Sequence, residues 1–283
     1  MRIAAFVLAC VAVAHADKPA FHAADWKIAV ELQAVLRPVE MKAEEWVRRF
    51  KPSDDVERQP IGFRGTRVLV ERYGEETTFR ATMIERGGKV VALRIETWEF
   101  SKAKLERLRT AWGESVHAIR GGMAYAWVEP KRRAALHADI ERELGLVTPA
   151  KVPEALRAAW TLLRDPTQTC EFGLSCYESG EAPAGCVAIE ALVAAKRTDL
   201  VRAVLRSANP EARLHAALAL ICAAKQTGKA LTPADAKAIA ILRAQRITIR
   251  CCDGCLVSDK KPGQALDELL PDTPDEIAPK PAR

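Results

Sequence analysis

Residues 66–97 read TRVLVERYGEETTFRATMIERGGKVVALRIET, and this stretch decides the fold class of the N-terminal half. Apolar residues alternate there with Arg, Thr and Glu, a pattern typical of half-buried antiparallel strands. Gly87-Gly88 favours a tight hairpin between two of the strands, because glycine readily adopts positive φ. We therefore expect three consecutive strands. Their inward residues are Val68, Val70, Phe79, Ala81, Met83, Val91, Leu93 and Ile95.

The flanking sequence predicts helices on both sides of these strands, and a further hairpin. The spacing of apolar residues, the helix-capping residues and the glycines that end helices predict six elements. They are helices 25–36, 43–50, 101–111 and 130–144, and strands 116–119 and 123–128. This order predicts an α+β domain over residues 17–150, with one antiparallel sheet backed by helices.

Strand patterning almost vanishes after Pro153, where alanine- and leucine-rich helices follow one another. The predicted helices cover residues 153–163, 187–196, 200–207, 210–226 and 233–244. We therefore expect a second domain, all-α and held by disulfides, over residues 151–260. The Pro-rich, polar residues 261–283 are predicted to be a disordered tail.

One segment of this second half resembles a HEAT-like, armadillo-type helical repeat. Asn209, Pro210 and Arg213 match the D/N-P-x-V-R turn of that family, and Ala216, Ala217 and Leu220 match its packing face. Ala212 stands where the family usually has valine.

The resemblance covers about one unit, residues 187–228, whereas solenoids generally need three or more repeats. It implies a short helical array that presents a surface to a protein partner. It also implies that Arg213 contacts a carboxylate or helix-end carbonyls. An unrelated alanine-rich helical bundle is the alternative.

The first sixteen residues have the pattern of a signal peptide. Arg2 precedes an apolar run, Ile3 to Val13, and Ala14-His15-Ala16 offers small residues for cleavage. The run is too short to span a membrane. We expect cleavage before Asp17 and export to the periplasm or the extracellular space, with no transmembrane segment in the mature chain. Lipid attachment at Cys10 and a buried N-terminal element are the alternatives.

Seven cysteines follow the predicted cleavage site, all in the C-terminal half. They are Cys170, Cys176, Cys186, Cys222, Cys251, Cys252 and Cys255. In an oxidising compartment these residues are disulfide candidates, and their odd number leaves at least one thiol free or paired with another chain. Sequence does not fix the pairing. The short loops Cys170–Cys176 and Cys252–Cys255 are the simplest choices.

The C-x-x-C pair Cys252 and Cys255 supports three interpretations. A structural disulfide is favoured. Thiol-disulfide oxidoreductase chemistry is the enzymatic alternative, although that motif normally opens a helix after a strand. A zinc site that also uses Cys170 and Cys176 would need a spacing unlike the standard ones, so we expect no metal or other cofactor.

Charge and composition exclude several classes of function. The chain is 49% hydrophobic and 28% charged, which is ordinary for a folded protein. Residues 64–133 hold 15 basic and 9 acidic side chains. This excess of basic residues is compatible with a solvent-exposed sheet surface, or with a surface that binds an anionic polymer of the cell envelope. Aromatic residues for base stacking do not accompany it, so nucleic acid is not an expected partner.

We found no G-x-S-x-G, H-E-x-x-H, phosphate-binding loop or dinucleotide fingerprint, and hence no catalytic candidate. The sequence therefore favours an exported, non-catalytic binding or scaffolding protein with a protein partner.

Overall fold

The structure is a computed structural model that describes residues 21–98, 101–119, 121–176 and 180–270. Its helices are α1 (Ala23–Gln33), α2 (Ala43–Phe50), α3 (Lys102–Trp112), α4 (Pro130–Leu144), α5 (Arg157–Arg164), α6 (Ala184–Ala194), α7 (Thr198–Val204), α8 (Pro210–Thr227), α9 (Pro233–Ala244) and α10 (Pro262–Leu269). Its strands are β1 (Glu57–Gly62), β2 (Gly65–Tyr73), β3 (Thr78–Arg86), β4 (Lys89–Trp98), β5 (Val116–Ile119), β6 (Gly122–Val128), β7 (Ile249–Asp253) and β8 (Leu256–Lys260). The predicted signal peptide lies outside the described residues.

Six strands form one sheet in the order β1-β2-β3-β4-β6-β5, which confirms the antiparallel sheet with helices in the N-terminal part. Strand β1 pairs antiparallel with β2 and was missed by the sequence analysis. Its sequence, ERQPIG, lacks apolar alternation because Glu57 and Arg58 are exposed and Pro60 interrupts the pattern.

The chain divides into two compact units that do not follow a boundary at residue 150. The first consists of residues 1–56, 70–81 and 93–127, and the second of residues 57–69, 82–92 and 128–283. Residues 57–92 therefore contribute to both units. Within the second unit, Ile61 and Ile84 belong to the same apolar core as the C-terminal helices, so alternation alone could not place the boundary.

The first unit buries large aromatic side chains whose polar atoms find backbone partners. Trp112 donates from Nε1 to the carbonyl of Ala29 at 2.8 Å, and Tyr125 donates from its hydroxyl to the carbonyl of Leu36 at 2.9 Å. Because the N–H and O–H groups have hydrogen-bond partners, the two aromatic side chains are buried without leaving a polar atom unpaired. Helix α3 begins where the sequence predicted, because the Ser101 hydroxyl accepts from the Lys104 N–H.

The first half of helix α8, Pro210 to Leu218, is entirely buried. Leu214, Ala216 and Ala217 have no exposed surface, and the helix contacts α6, α7, α9 and α10. A helix segment that is buried around its whole circumference needs neighbours on every side. This explains why its alanine-rich sequence, with little amphipathic pattern, still forms a stable helix.

The structure corrects two predictions for the C-terminal part. Residues 249–260 form the antiparallel pair β7–β8, so the second half is not all-α. Helix α10 occupies the beginning of the segment that was predicted to be disordered. It is ordered because Ala265 and Leu266 are buried in the core of the second unit. Residues 271–283 lie outside the described residues.

Candidate functional site

Strands β7 and β8 and the adjacent segment 172–176 form a small sheet-like structure, here called the disulfide hairpin. Phe172 donates its N–H to the Arg250 carbonyl at 2.9 Å, and Cys252 donates its N–H to the Phe172 carbonyl at 3.0 Å. Gly173 permits this approach, because a Cβ there would lie 2.2 Å from the Cys252 carbonyl oxygen. One edge of β7 is therefore covered by segment 172–176 and the other by β8.

A disulfide between Cys176 and Cys252 joins segment 172–176 to β7, with 5.4 Å between the two Cα atoms. Both short-loop pairings expected from the sequence are therefore wrong. Cys255 lies in the two-residue turn of the hairpin and is a free, exposed thiol. The bridge instead joins residues that are 76 positions apart, which sequence spacing could not indicate.

The four other cysteines of the described residues are free and buried, and none of them has the environment of a reactive thiol. They are Cys170, Cys186, Cys222 and Cys251. Burial raises the pKa of Cys170 and of Cys186 to about 12, and that of Cys251 to about 11. Reactive cysteines need a lowered pKa, since the thiolate is the nucleophile. These thiols therefore behave as small apolar core groups.

Among the residues that the structure describes, no segment covers the outer backbone edge of strand β8. Cys252 pairs with Val257 and Arg250 pairs with Asp259 across the hairpin. The backbone groups of Cys252 and Arg250 point away from β8, towards Phe172. In antiparallel pairing the opposite residues then point away as well, so the N–H and C=O groups of Val257 and Asp259 face outward. Within the described chain they have no backbone partner.

Apolar side chains are exposed on the disulfide hairpin. Leu256 is 75% exposed and Val257 is 44% exposed on β8, and Leu174 is 53% exposed on the neighbouring segment. Proteins usually protect an edge strand that combines open backbone groups with exposed apolar residues, because it pairs readily with another chain. This edge therefore has the features of an interaction surface.

The residues of the repeat-like turn are buried at the start of α8. Asn209 caps the helix by accepting from the Ala212 N–H, and its side-chain amide donates to the Asp165 and Gln168 carbonyls at 3.0 Å. Pro210 occupies the first helical position, where a missing N–H costs nothing. Asn209 and Pro210 therefore serve to start helix α8.

Arg213 has a different partner from the one implied by the resemblance. Its Nη2 donates to the carbonyl of Ile61 at the end of β1, and the ring of Phe63 lies 4.8 Å from its Cζ. It is fully buried, and burial lowers its pKa to about 9. The guanidinium therefore fixes the β1–β2 turn within the second unit, where Phe63 and Arg64 both have positive φ.

Cys170, His215 and Asn209 are close together, a set of residue types that supports nucleophilic catalysis in some enzymes. A Cβ at Gly185 would lie 2.9 Å from both the Cys170 Cβ and the His215 Nε2. Burial lowers the pKa of His215 to about 4 and raises that of Cys170 to about 12, so at neutral pH the imidazole is neutral and the thiol is protonated. His215 Nε2 also pairs with the Glu171 carbonyl at 3.0 Å. Cys170 and His215 are therefore packed core groups, and Cys170 is not an activated nucleophile.

Six arginines of residues 64–133 pair with carboxylates among the described residues, and three of these carboxylates, Glu31, Asp139 and Glu211, come from outside that range. The arginines that form ion pairs are Arg67, Arg72, Arg80, Arg86, Arg94 and Arg109. This pairing favours a structural role for these arginines over a continuous surface for an anionic polymer.

The described residues contain no group of three or more His, Cys, Asp or Glu side chains placed to hold a metal ion. No helix among those residues is long and apolar enough to cross a membrane. No protein-family model, curated protein or solved structure matches the chain.

Proposed function

We propose that this chain is an exported, non-catalytic binding protein that holds an extended segment of a protein partner along β8. The observation that carries the proposal is the uncovered edge at Val257 and Asp259 beside the exposed Leu256. In strand addition, backbone hydrogen bonds at such an edge supply affinity and side-chain contacts supply specificity.

Two further features support this proposal. The Cys176–Cys252 bridge fixes β7, the strand that carries β8, and disulfides persist in exported proteins. The resemblance of residues 187–228 to a HEAT-like unit also points to a protein partner. The redox alternative has less support, because Cys252 is bonded to Cys176 rather than to Cys255.

The test is site-specific photo-crosslinking in the cells that make the protein. A photoreactive residue replaces Leu256, and in a control chain it replaces Leu146, which is 67% exposed but lies outside the hairpin. Each chain is combined with Val257→Pro, which removes an outward N–H, or with Val257→Ala, which keeps it. Because Val257 makes no ladder hydrogen bond to β7, the proline leaves the hairpin pairing intact.

We expect a discrete protein adduct from position 256 that Val257→Pro abolishes and Val257→Ala retains. Position 146 should give no such adduct. The proposal fails if position 256 gives no adduct, or if the adduct survives the proline substitution while circular dichroism shows the fold unchanged.

A further inference from the structure

Arg213 carries a buried charge for which the described residues provide no counter-charge in contact with it. The side chain has no exposed surface, and its Nε and Nη1 atoms make no hydrogen bond within the described chain. Its Nη2 donates to the Ile61 carbonyl, which is a neutral group. A buried guanidinium without a negative partner is destabilising, because burial removes the water that would solvate it.

The carboxylate of Glu211, two residues before Arg213 on α8, is already engaged. Both of its oxygens accept from Arg67, at 2.8 and 2.9 Å. All three side chains are buried, so the interior of the second unit holds two guanidinium groups and one carboxylate at this place. A water molecule could accept from a free N–H of Arg213, but it would leave the excess positive charge unbalanced.

A further unpaired atom lies at the same turn. Gln245 Oε1 is buried and has no hydrogen-bond partner in the described chain. The Gln245 amide packs against Gly62, since a Cβ at Gly62 would lie 3.1 Å from Nε2 and 3.2 Å from Oε1. Gly62 follows Ile61, which accepts from Arg213, and precedes Phe63, whose ring lies 4.8 Å from the Arg213 Cζ. The unpaired atoms of Arg213 and Gln245 therefore belong to side chains that contact one short turn, residues 61–63.

The surroundings of this turn limit what can bind there. Ile61 and Phe63 are buried and enclose the guanidinium, so only a small group fits beside it. Gly62 and Gln245 are partly exposed, so the turn is reached from solvent on their side. A group that binds here must be small, must accept a hydrogen bond and must carry negative charge.

We propose that a small inorganic anion of the size of chloride binds beside Arg213 at the turn formed by residues 61–63. The anion accepts from one of the free N–H groups and neutralises the guanidinium. A water molecule from its hydration shell donates to Gln245 Oε1, as buried waters commonly do for polar atoms that lack a protein partner. This site is separate from the edge of β8 and does not depend on the function proposed for that edge.

Bromide, which replaces chloride in anion sites and scatters anomalously, tests the site in the unaltered protein. Crystals of the full chain are grown in sodium bromide, and an anomalous difference map is calculated. We expect a bromide peak within hydrogen-bonding distance of Arg213 Nε or Nη1. A map without a peak at this position overturns the proposal.

Thermal unfolding tests the site in solution, with chloride replaced by gluconate at constant ionic strength. The melting temperature of the wild type should rise with the logarithm of the chloride concentration, because a ligand that binds the folded state stabilises it. Arg213→Met should lose this rise. Arg86→Met should retain it, since Arg86 is a partly buried arginine of the same unit that pairs with Asp139 instead.

Equal chloride-dependent shifts in the wild type and in Arg213→Met also overturn the proposal, because they would arise from a general effect of the salt. If Arg213→Met does not fold, the position of the bromide peak in the wild type decides.

Discussion

Arg67 and Glu211, 144 residues apart, form a bidentate ion pair in the interior of the second unit. Arg67 Nη1 and Nη2 donate to the two carboxylate oxygens of Glu211 at 2.8 and 2.9 Å. Arg67 also donates to the Pro166 carbonyl and to Gln59. The pair joins β2 to the first turn of α8. A buried ion pair therefore links the part of β2 that belongs to the second unit to helix α8.

Breaking this pair from one side should be costly. We expect Arg67→Met to lower the free energy of unfolding by about 3–5 kcal/mol, because it leaves the Glu211 carboxylate buried without its partner. The double variant Arg67→Met/Glu211→Met should recover most of that loss. Urea unfolding of the single and double variants measures both effects.

The exposed pair Arg157–Glu154 is the control, because surface pairs contribute only about 0–1 kcal/mol. If Arg67→Met costs no more than Arg157→Met, Arg67 and Glu211 do not form the buried pair described.

His215 should make the protein sensitive to mild acid. Burial lowers its pKa to about 4 from an ordinary value of 6.5. Between these values the unfolded chain binds a proton that the folded chain excludes. Stability is therefore complete above pH 6.5 and falls by up to about 3 kcal/mol as the pH drops towards 4.

The measurement is urea unfolding at pH 7 and pH 4.5. His215→Gln should reduce the difference between the two pH values, whereas His117→Gln, at an exposed position, should leave it unchanged. A His215→Gln protein with the same acid sensitivity as the wild type would rule out His215 as the cause.

The disulfide should be structural. Cys176→Ala/Cys252→Ala is expected to lower the free energy of unfolding by about 2–5 kcal/mol and to make the C-terminal half sensitive to protease, because the bridge constrains a long loop. Cys255→Ser should change stability little, since Cys255 is exposed and unbridged. Peptide mapping without reductant should recover the Cys176–Cys252 link.

An oxidoreductase would behave differently. The wild type should not accelerate the reduction of insulin by dithiothreitol. Catalysis of that reaction that Cys255→Ser abolishes would contradict the structural role and favour the redox interpretation.

The packing face of α8 offers a further prediction. Leu220 is 6% exposed, so Leu220→Ala should cost about 2–5 kcal/mol through lost burial and the cavity it leaves. Leu146→Ala, at an exposed position, is the matched control. A loss at position 220 as small as that at position 146 would show that this face of α8 is not core.

Local patterns predicted the regular elements well. Alternation in residues 66–97 and the Gly87-Gly88 pair indicated the strands, and the helices predicted over residues 101–111 and 233–244 are present in the structure. These features depend on neighbours in sequence, which is why they could be predicted. Strand β1 and helix α10 were missed because their stability comes from packing rather than from their own pattern.

The candidate site could be predicted only in part. The C-x-x-C pattern drew attention to residues 252–255, yet the partner of Cys252 lies 76 residues away, and no local spacing encodes such a contact. Arg213 was identified as a packed residue, but its acceptor at Ile61 comes from a strand that the sequence did not reveal. The open edge of β8 depends on which side of β7 the segment 172–176 occupies.

Amide hydrogen exchange at Val257 and Asp259 tests the central claim most directly. In the free protein both amides should exchange rapidly, because they face solvent at an open edge. In the complex with the partner identified by crosslinking, both should become strongly protected, while the amide of Ser258, already bonded to β7, should change little. Protection elsewhere in the chain, with Val257 and Asp259 still exchanging rapidly, would contradict strand addition at β8.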